Sequence, residues 1–277
     1  MNTKFIRYTM YAIIVVICIV SIGLAVYAQF FMEEDIGGAY ENDIEAGGNI
    51  LTAQDVNQSF LDLFTNELYS NYDDSTLTKI DNNQEIVYTF YENNQTVNGS
   101  YSMNIKIPLI NIQSDVVAEY NNLTQRIFVD KINSVMAGTT VYTIYNLDYI
   151  AYVNNNILSV AIKATIKEGD NPQRVIVQTY NYDLQNDKSV TLREILEDRD
   201  IDETVVANKI RSVVQKASDD AAQMAASGYT VYQRNLEDDM YEIDNITNFM
   251  EGPNGELYII FAYGNNNYTS EMDIIEI

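Results

Sequence analysis

Residues 157–184 read ILSVAIKATIKEGDNPQRVIVQTYNYDL. In the first part Leu158, Val160, Ile162, Ala164 and Ile166 alternate with Ser159, Lys163, Thr165 and Lys167. A strand turns successive side chains to opposite faces, so this period of two predicts a half-buried strand with the apolar row inward and the polar row in solvent. Gly169 to Pro172 supplies the residues of a turn, and Arg174 to Leu184 forms the next strand before a short loop at Asn186-Asp187. A Tyr- and Val-rich stretch at about 140–153 precedes both, so the centre of the chain is a three-stranded meander.

The pattern changes on either side of the meander. Upstream, Thr52 starts a helix with Asp55 as its capping-box partner, and Val56, Phe60, Leu63, Phe64 and Leu68 form one apolar face until Asn71 to Ser75 breaks it. Ile86, Tyr88 and Phe90 alternate with Val87 and Thr89, and Tyr101, Met103, Ile105, Ile107 and Leu109 alternate with polar neighbours after Asn98-Gly99. Together they predict a hairpin. Ser114 caps a long helix to about Met136, with Val116, Tyr120, Leu123, Ile127, Phe128 and Ile132 on its face and Gly138 at its end. Downstream, Thr191 and Glu194 make a capping box for a short helix to Leu196. Asp202 opens a longer helix with Val206, Ile210, Val213, Val214, Ala217, Ala221 and Met224 on one face, stopping near Gly228. Two last strands fall at about 256–263 and 271–277. Grouped strands with interspersed helices and no repeated βαβ rhythm predict an α+β fold with mainly antiparallel sheet over residues 52–277, as one domain or as two divided near 138.

Tyr8 to Met32 is uncharged over 25 residues, against the about 20 that a helix needs to cross a bilayer core. Tyr8, Tyr11, Tyr27 and Phe30 lie near its ends, Lys4 and Arg7 flank one side, and Glu33, Glu34 and Asp35 the other. The positive-inside rule places a cytoplasmic tail at 1–7, a transmembrane anchor at 8–32 and the remainder outside the cytoplasmic membrane. The alternative is a signal peptide cleaved after Val26-Tyr27-Ala28, which also exports the body. Cys18, the one cysteine, lies within the apolar run behind a bulky Ile17, which does not suit a lipidation site. Residues 33–51, with two Gly-Gly pairs among acidic residues, read as a flexible acidic spacer.

The 16 basic and 40 acidic residues give the chain a charge of −24, and without Lys4 and Arg7 the exported part carries 14 against 40, or −26. Such a surface repels nucleic acid and anionic lipid and attracts basic proteins, basic peptides or divalent cations; it also serves simply for solubility. The chain has no histidine, which removes Ser-His-Asp and Cys-His catalysis and His-ligated zinc. With no cysteine in the body, thiol nucleophiles and thiolate metal sites are absent as well, and neither a phosphate-binding P-loop nor a dinucleotide fingerprint occurs. Two carboxylates suffice for glycoside hydrolysis, but 40 of them offer no pattern that selects a pair. The run Asp198-Arg199-Asp200-Ile201-Asp202-Glu203 begins like a calcium loop. It then lacks Gly at the sixth position and places Lys209 where the bidentate Glu belongs, so an acidic helix start explains it better. Glu237-Asp238-Asp239 reads as a solvated loop. Tyr142, Tyr145, Tyr149, Tyr152, Tyr180 and Tyr182 fall on adjacent strands, where they serve either a binding platform or cross-strand packing. No catalytic, cofactor-binding or metal-binding residue follows from these patterns, and no cofactor is expected.

The sequence Asn155-Asn156-Ile157-Leu158-Ser159-Val160, the later Tyr180-Asn181-Tyr182-Asp183-Leu184 and the run Lys188-Ser189-Val190-Thr191-Leu192-Arg193-Glu194-Ile195-Leu196 resemble the RsiV-like C-terminal domain, a family of largely unknown function. Ile107-Pro108-Leu109 and the helix to Ile132-Asn133 resemble the region that precedes it in PdaC-type deacetylases. Gly169-Asp170-Asn171-Pro172 stands where the family often has Gly-Gly-Ala-His, and Asn186-Asp187 where it has Thr-Gly. No deacetylase domain follows, and a seven-residue tail is too short to hold a sigma factor, so neither activity is expected here. The resemblance implies an exported binding or sensing module with a basic protein such as lysozyme as a candidate ligand; with the expected anchor and the missing catalytic groups, the expectation is a non-enzymatic, membrane-anchored extracytoplasmic binding or sensing domain of the cell envelope. The alternative is a carboxylate-based cell-wall hydrolase.

Overall fold

A computed structural model of the protein describes residues 53–138, 140–263 and 271–277. The expected tail, anchor and spacer at 1–7, 8–32 and 33–51 lie outside the described residues. Among those described, no helix is long and apolar enough to cross a membrane.

The fold is α+β with one mixed and one antiparallel sheet. The large sheet contains β1 (Leu68–Ser70), β2 (Val87–Val97), β3 (Tyr101–Ile110), β4 (Thr143–Asn154), β5 (Ile157–Glu168), β6 (Arg174–Asp183) and β7 (Lys188–Ser189). Its order is β2-β3-β4-β5-β6-β7, with β1 also paired to β4. Helix α1 spans Ala53–Asp62, α2 Asp115–Met136, α3 Leu192–Asp198 and α4 Glu203–Ala226. The small sheet, β8 (Phe249–Glu251), β9 (Leu257–Ala262) and β10 (Met272–Glu276), runs in the order β10-β9-β8.

The meander folds as its alternation predicts, with β4, β5 and β6 antiparallel to one another. Asn155 and Asn156 both take positive φ in the two-residue turn between β4 and β5, the conformation that matches strand twist in a tight hairpin. Strand β3 pairs with β4 in parallel, because α2 carries the chain back across the sheet before β4 begins. Helix α2 starts on the Ser114 cap and buries Val117, Tyr120, Phe128, Ile132 and Val135 against one face of the large sheet. That core spans position 138, and residues 53–277 form one compact unit. The small sheet and α1 cover part of the other face through Phe60, Tyr152, Ala161, Val177, Met250 and Tyr258. The outer side of the small sheet takes α3 and α4 through Leu196, Val206, Ile210 and Val214.

Four local expectations are corrected. Helix α1 ends at Asp62 rather than reaching Leu68. Asn66 turns the chain at φ 62° and bonds the Tyr149 backbone from both its amide and its side chain, which aligns Leu68 in β1 beside β4. Phe90 is 50% exposed at a bulge between Thr89 and Tyr91, and β2 continues to Val97. On α2, Leu123 and Ile127 are 37% and 43% exposed, whereas Asn121 and Thr124 are buried. The Asn121 side chain accepts from the Ile110 amide at 3.1 Å and donates to its carbonyl at 2.8 Å, replacing a strand partner there.

The fourth correction positions the site. Ser159, read as solvent-facing, is fully buried, and it faces Asn181 across the β5–β6 ladder. Its hydroxyl donates to Asn181 Oδ1 at 2.6 Å and accepts from the Glu251 amide at 3.2 Å. Asn181 Nδ2 donates to the Phe249 carbonyl at 2.8 Å, and Thr179 Oγ1 accepts from the Phe249 amide at 3.0 Å. Strand β8, which pairs through its backbone only with β9, therefore satisfies its second edge with side chains of the large sheet. Replacing Asn181 with Ala leaves the Phe249 carbonyl and the Ser159 hydroxyl without these partners. The expected loss is about 2–4 kcal/mol of unfolding free energy in denaturant titrations, against less than about 0.5 kcal/mol for Asn94→Ala on exposed β2.

Candidate functional site

At one end of the large sheet, the turn after β4, the β6–β7 hairpin, α3 and the end of β8 enclose a cleft of about 590 Å³. It is lined by Asp183, Glu194, Glu197, Asp198 and Glu251 against only two cations, Lys188 and Arg199. Each wall has a local cause. Asp183 holds the hairpin turn by accepting from the backbone amides of Gln185 and Asn186 at 2.9 and 3.0 Å and from Asn186 Nδ2 at 2.7 Å. Burial opposes its charge, yet these donors hold its carboxyl below the ordinary range. Helix α3 starts on the Thr191–Glu194 capping box foreseen in the sequence. Glu194 also meets Lys188 at 2.5 Å, and that hydrogen bond chiefly lowers its pKa. Beside the hairpin, Asp187 accepts from Ser114 at 2.5 Å and Tyr182 at 2.6 Å, fastening the turn to the start of α2.

Among the charged residues of the lining Glu251 is the most buried, with 4% of its surface exposed. Arg199, at the end of α3, reaches Glu251 Oε1 at 2.6 Å and the Gly255 carbonyl at 2.6 Å. Glu251 Oε2 has no hydrogen-bond partner, and it is the one carboxylate oxygen in that condition among the buried side-chain atoms of the described residues. The Asn154 side-chain amide donates to the Gly252 carbonyl at 2.8 Å and, with its second N–H near Glu251, favours the charged form. Burial pushes the Glu251 carboxyl above the ordinary range, outweighing the pull of Arg199, and the charge of Asp198 pushes the same way. Gly252 follows because a Cβ there would meet Tyr258 Cε2 at 2.9 Å and Glu256 Oε2 at 2.8 Å.

The residues singled out in the sequence separate. Tyr145, Tyr149 and Tyr182 lie in the core beneath α2, with Tyr180 packed partly buried against it, while Tyr152 faces the opposite side and Tyr142 is 39% exposed. Tyr180 stacks on Tyr120 at 4.1 Å between ring centres, which is packing rather than a shared platform. In the calcium-like run, Asp198 lines the cleft, Asp200 takes φ 54° in the turn and Asp202 caps α4. Among the described residues no group of three or more His, Cys, Asp or Glu could hold a metal ion. Asp238 caps a 3₁₀ turn at the surface. The other buried charge cluster is closed: Arg234 meets both oxygens of Asp273 at 2.7 and 2.9 Å, and Tyr263 donates to Asp273 at 2.8 Å. Glu251 was not legible because β8 is three residues long and displays no period.

The sign of the Glu251 shift has a measurable consequence. Above the ordinary glutamate value of 4.5 the unfolded chain loses this proton while the folded chain retains it. The contribution of Glu251 to stability therefore falls as pH rises from 4.5 towards the raised native value. Denaturant unfolding across that window is expected to show wild type losing ground to Glu251→Gln as pH rises; a constant difference or the reverse trend contradicts the assignment.

No family model matches the chain, and no curated protein does. Among solved structures, a DUF3298 family protein from Pseudomonas aeruginosa PAO1 is 10% identical over 74% of this chain and 91% of its own, with a TM-score of 0.38. A member of the same family from Bacteroides fragilis NCTC 9343 is 13% identical over 64% of this chain and 79% of its own, with a TM-score of 0.30. Both are described by a domain of unknown function, and superposition at this level carries no inference about this chain.

Proposed function

We propose that this chain is a non-enzymatic binding or sensing domain of the bacterial cell envelope, held outside the cytoplasmic membrane by a single-pass anchor at residues 8–32, and that its partner is a basic protein. The observation that carries the reading is the cleft, in which five carboxylates face two cations and both cations are already paired within the protein. A positively charged group gains there from the surplus charge at short range and from the acidic body at long range. The RsiV-like resemblance of 155–196 supports an envelope partner and makes lysozyme the first candidate, and this same segment builds most of the cleft walls.

Calorimetry of the full chain in a neutral detergent, with lysozyme and with an unrelated basic protein at low and high salt, tests the reading. Lysozyme-selective binding that persists at high salt is expected. Binding lost with salt or shared by the control reports only an acidic surface. A carboxylate-based cell-wall hydrolase is the second reading, favoured by a buried Glu251 of raised pKa near the charge of Asp198. The binding reading predicts that the purified chain releases no soluble fragments from peptidoglycan. Release that is abolished by Glu251→Gln establishes the hydrolase instead.

A further inference from the structure

We propose that the cleft between α3, the β6–β7 hairpin and the end of β8 binds the side-chain ammonium of a lysine in a basic peptide segment, with Glu251 Oε2 as its innermost acceptor. This deepens the binding reading above and rests on it. Three observations carry the proposal. The first is Glu251 itself, whose second oxygen has no partner although the residue is 4% exposed. A buried carboxylate oxygen left without a donor is costly, and a cation that donates to it recovers that cost on binding.

The second observation concerns geometry. A guanidinium binds best as a planar fork that uses both oxygens of one carboxylate. Arg199 already occupies Oε1 at 2.6 Å, so a second fork finds only one free oxygen. An ammonium is compact, carries three donors on a long unbranched stem and can place one of them on a single acceptor.

The third observation is the rim. Glu197 and Asp198 line the cleft, are exposed and make no ion pair among the described residues, whereas Glu194 is taken by Lys188 and its cap. Two free carboxylates beside the entrance suit a ligand with further positive charge next to the inserted lysine, which makes the ligand a basic peptide segment rather than an isolated amine.

Titration of the full chain in neutral detergent with fluorescent tri-lysine and tri-arginine peptides tests this. Tri-lysine is expected to bind more tightly than tri-arginine. Glu251→Gln is expected to weaken tri-lysine by roughly thirtyfold or more. The rim pair Glu197→Gln with Asp198→Asn should weaken it by about threefold to fivefold. Glu237→Gln with Asp239→Asn, which removes the same charge from a loop outside the cleft, should leave it unchanged. If Glu251→Gln does not fold, the rim pair against the remote pair decides. Equal losses from the rim and remote pairs, wild-type affinity in a folded Glu251→Gln, or tighter binding of tri-arginine each overturn the proposal while leaving a basic partner in place. Absence of binding to any basic peptide or to lysozyme removes both readings together.

Discussion

The side of β8 that faces away from β9 would present unpaired backbone groups inside the protein were it not for Ser159, Thr179 and Asn181. These three side chains rise from one face of the large sheet and meet the amides of Phe249 and Glu251 and the carbonyl of Phe249. The small sheet is thereby held in register across the large one by directional bonds as well as by apolar packing of Met250, Tyr258 and Ile260 on Ala161 and Val177. Apolar burial alone is non-directional and tolerates sliding, while a fully satisfied polar network does not. Since α3 and α4 pack on the outer side of the small sheet, their position also follows from this seam.

The same seam explains why the cleft carries a perturbed carboxylate. Ser159 holds the backbone amide of Glu251, so the residue cannot retreat to the surface to hydrate its side chain. Charge buried in this way survives only with compensation, and Arg199 supplies half of it, leaving one oxygen unanswered. The contrast with Arg234 and Asp273 is instructive. In that pair both side chains are buried, both carboxylate oxygens and the neighbouring Tyr263 are engaged, and it works as a clamp between residues 227–248 and β10. Of these two ion pairs, the incomplete one faces a cleft.

Much of this architecture was legible in the sequence where a local rule had a single answer. The Ser114 and Asp202 caps, the Thr191–Glu194 box and the hairpin at Asn98-Gly99 depend on a few adjacent residues and lie where the pattern placed them. Periodicity was less secure. It assigned Ser159 to solvent because a polar residue alternating with apolar ones normally faces water, and only the second layer makes that face interior. It also gave α2 a face through Leu123 and Ile127, since hydropathy cannot register that Asn121 will bond to Ile110. Glu251 was beyond reach for both reasons. Its strand is too short to show a period, and its burial depends on residues about 70 to 90 positions upstream.

In the proposed binding role, positive charge on a partner is received at the mouth of this one cleft rather than over the acidic surface at large. Photo-crosslinking reads that most directly: a lysine-rich peptide carrying a diazirine is irradiated on the full chain in neutral detergent, and the adducts are mapped by mass spectrometry. Adducts are expected to concentrate within 183–199 and around Glu251. Adducts spread over α4, the 227–248 loop and β2 in proportion to surface charge would contradict it.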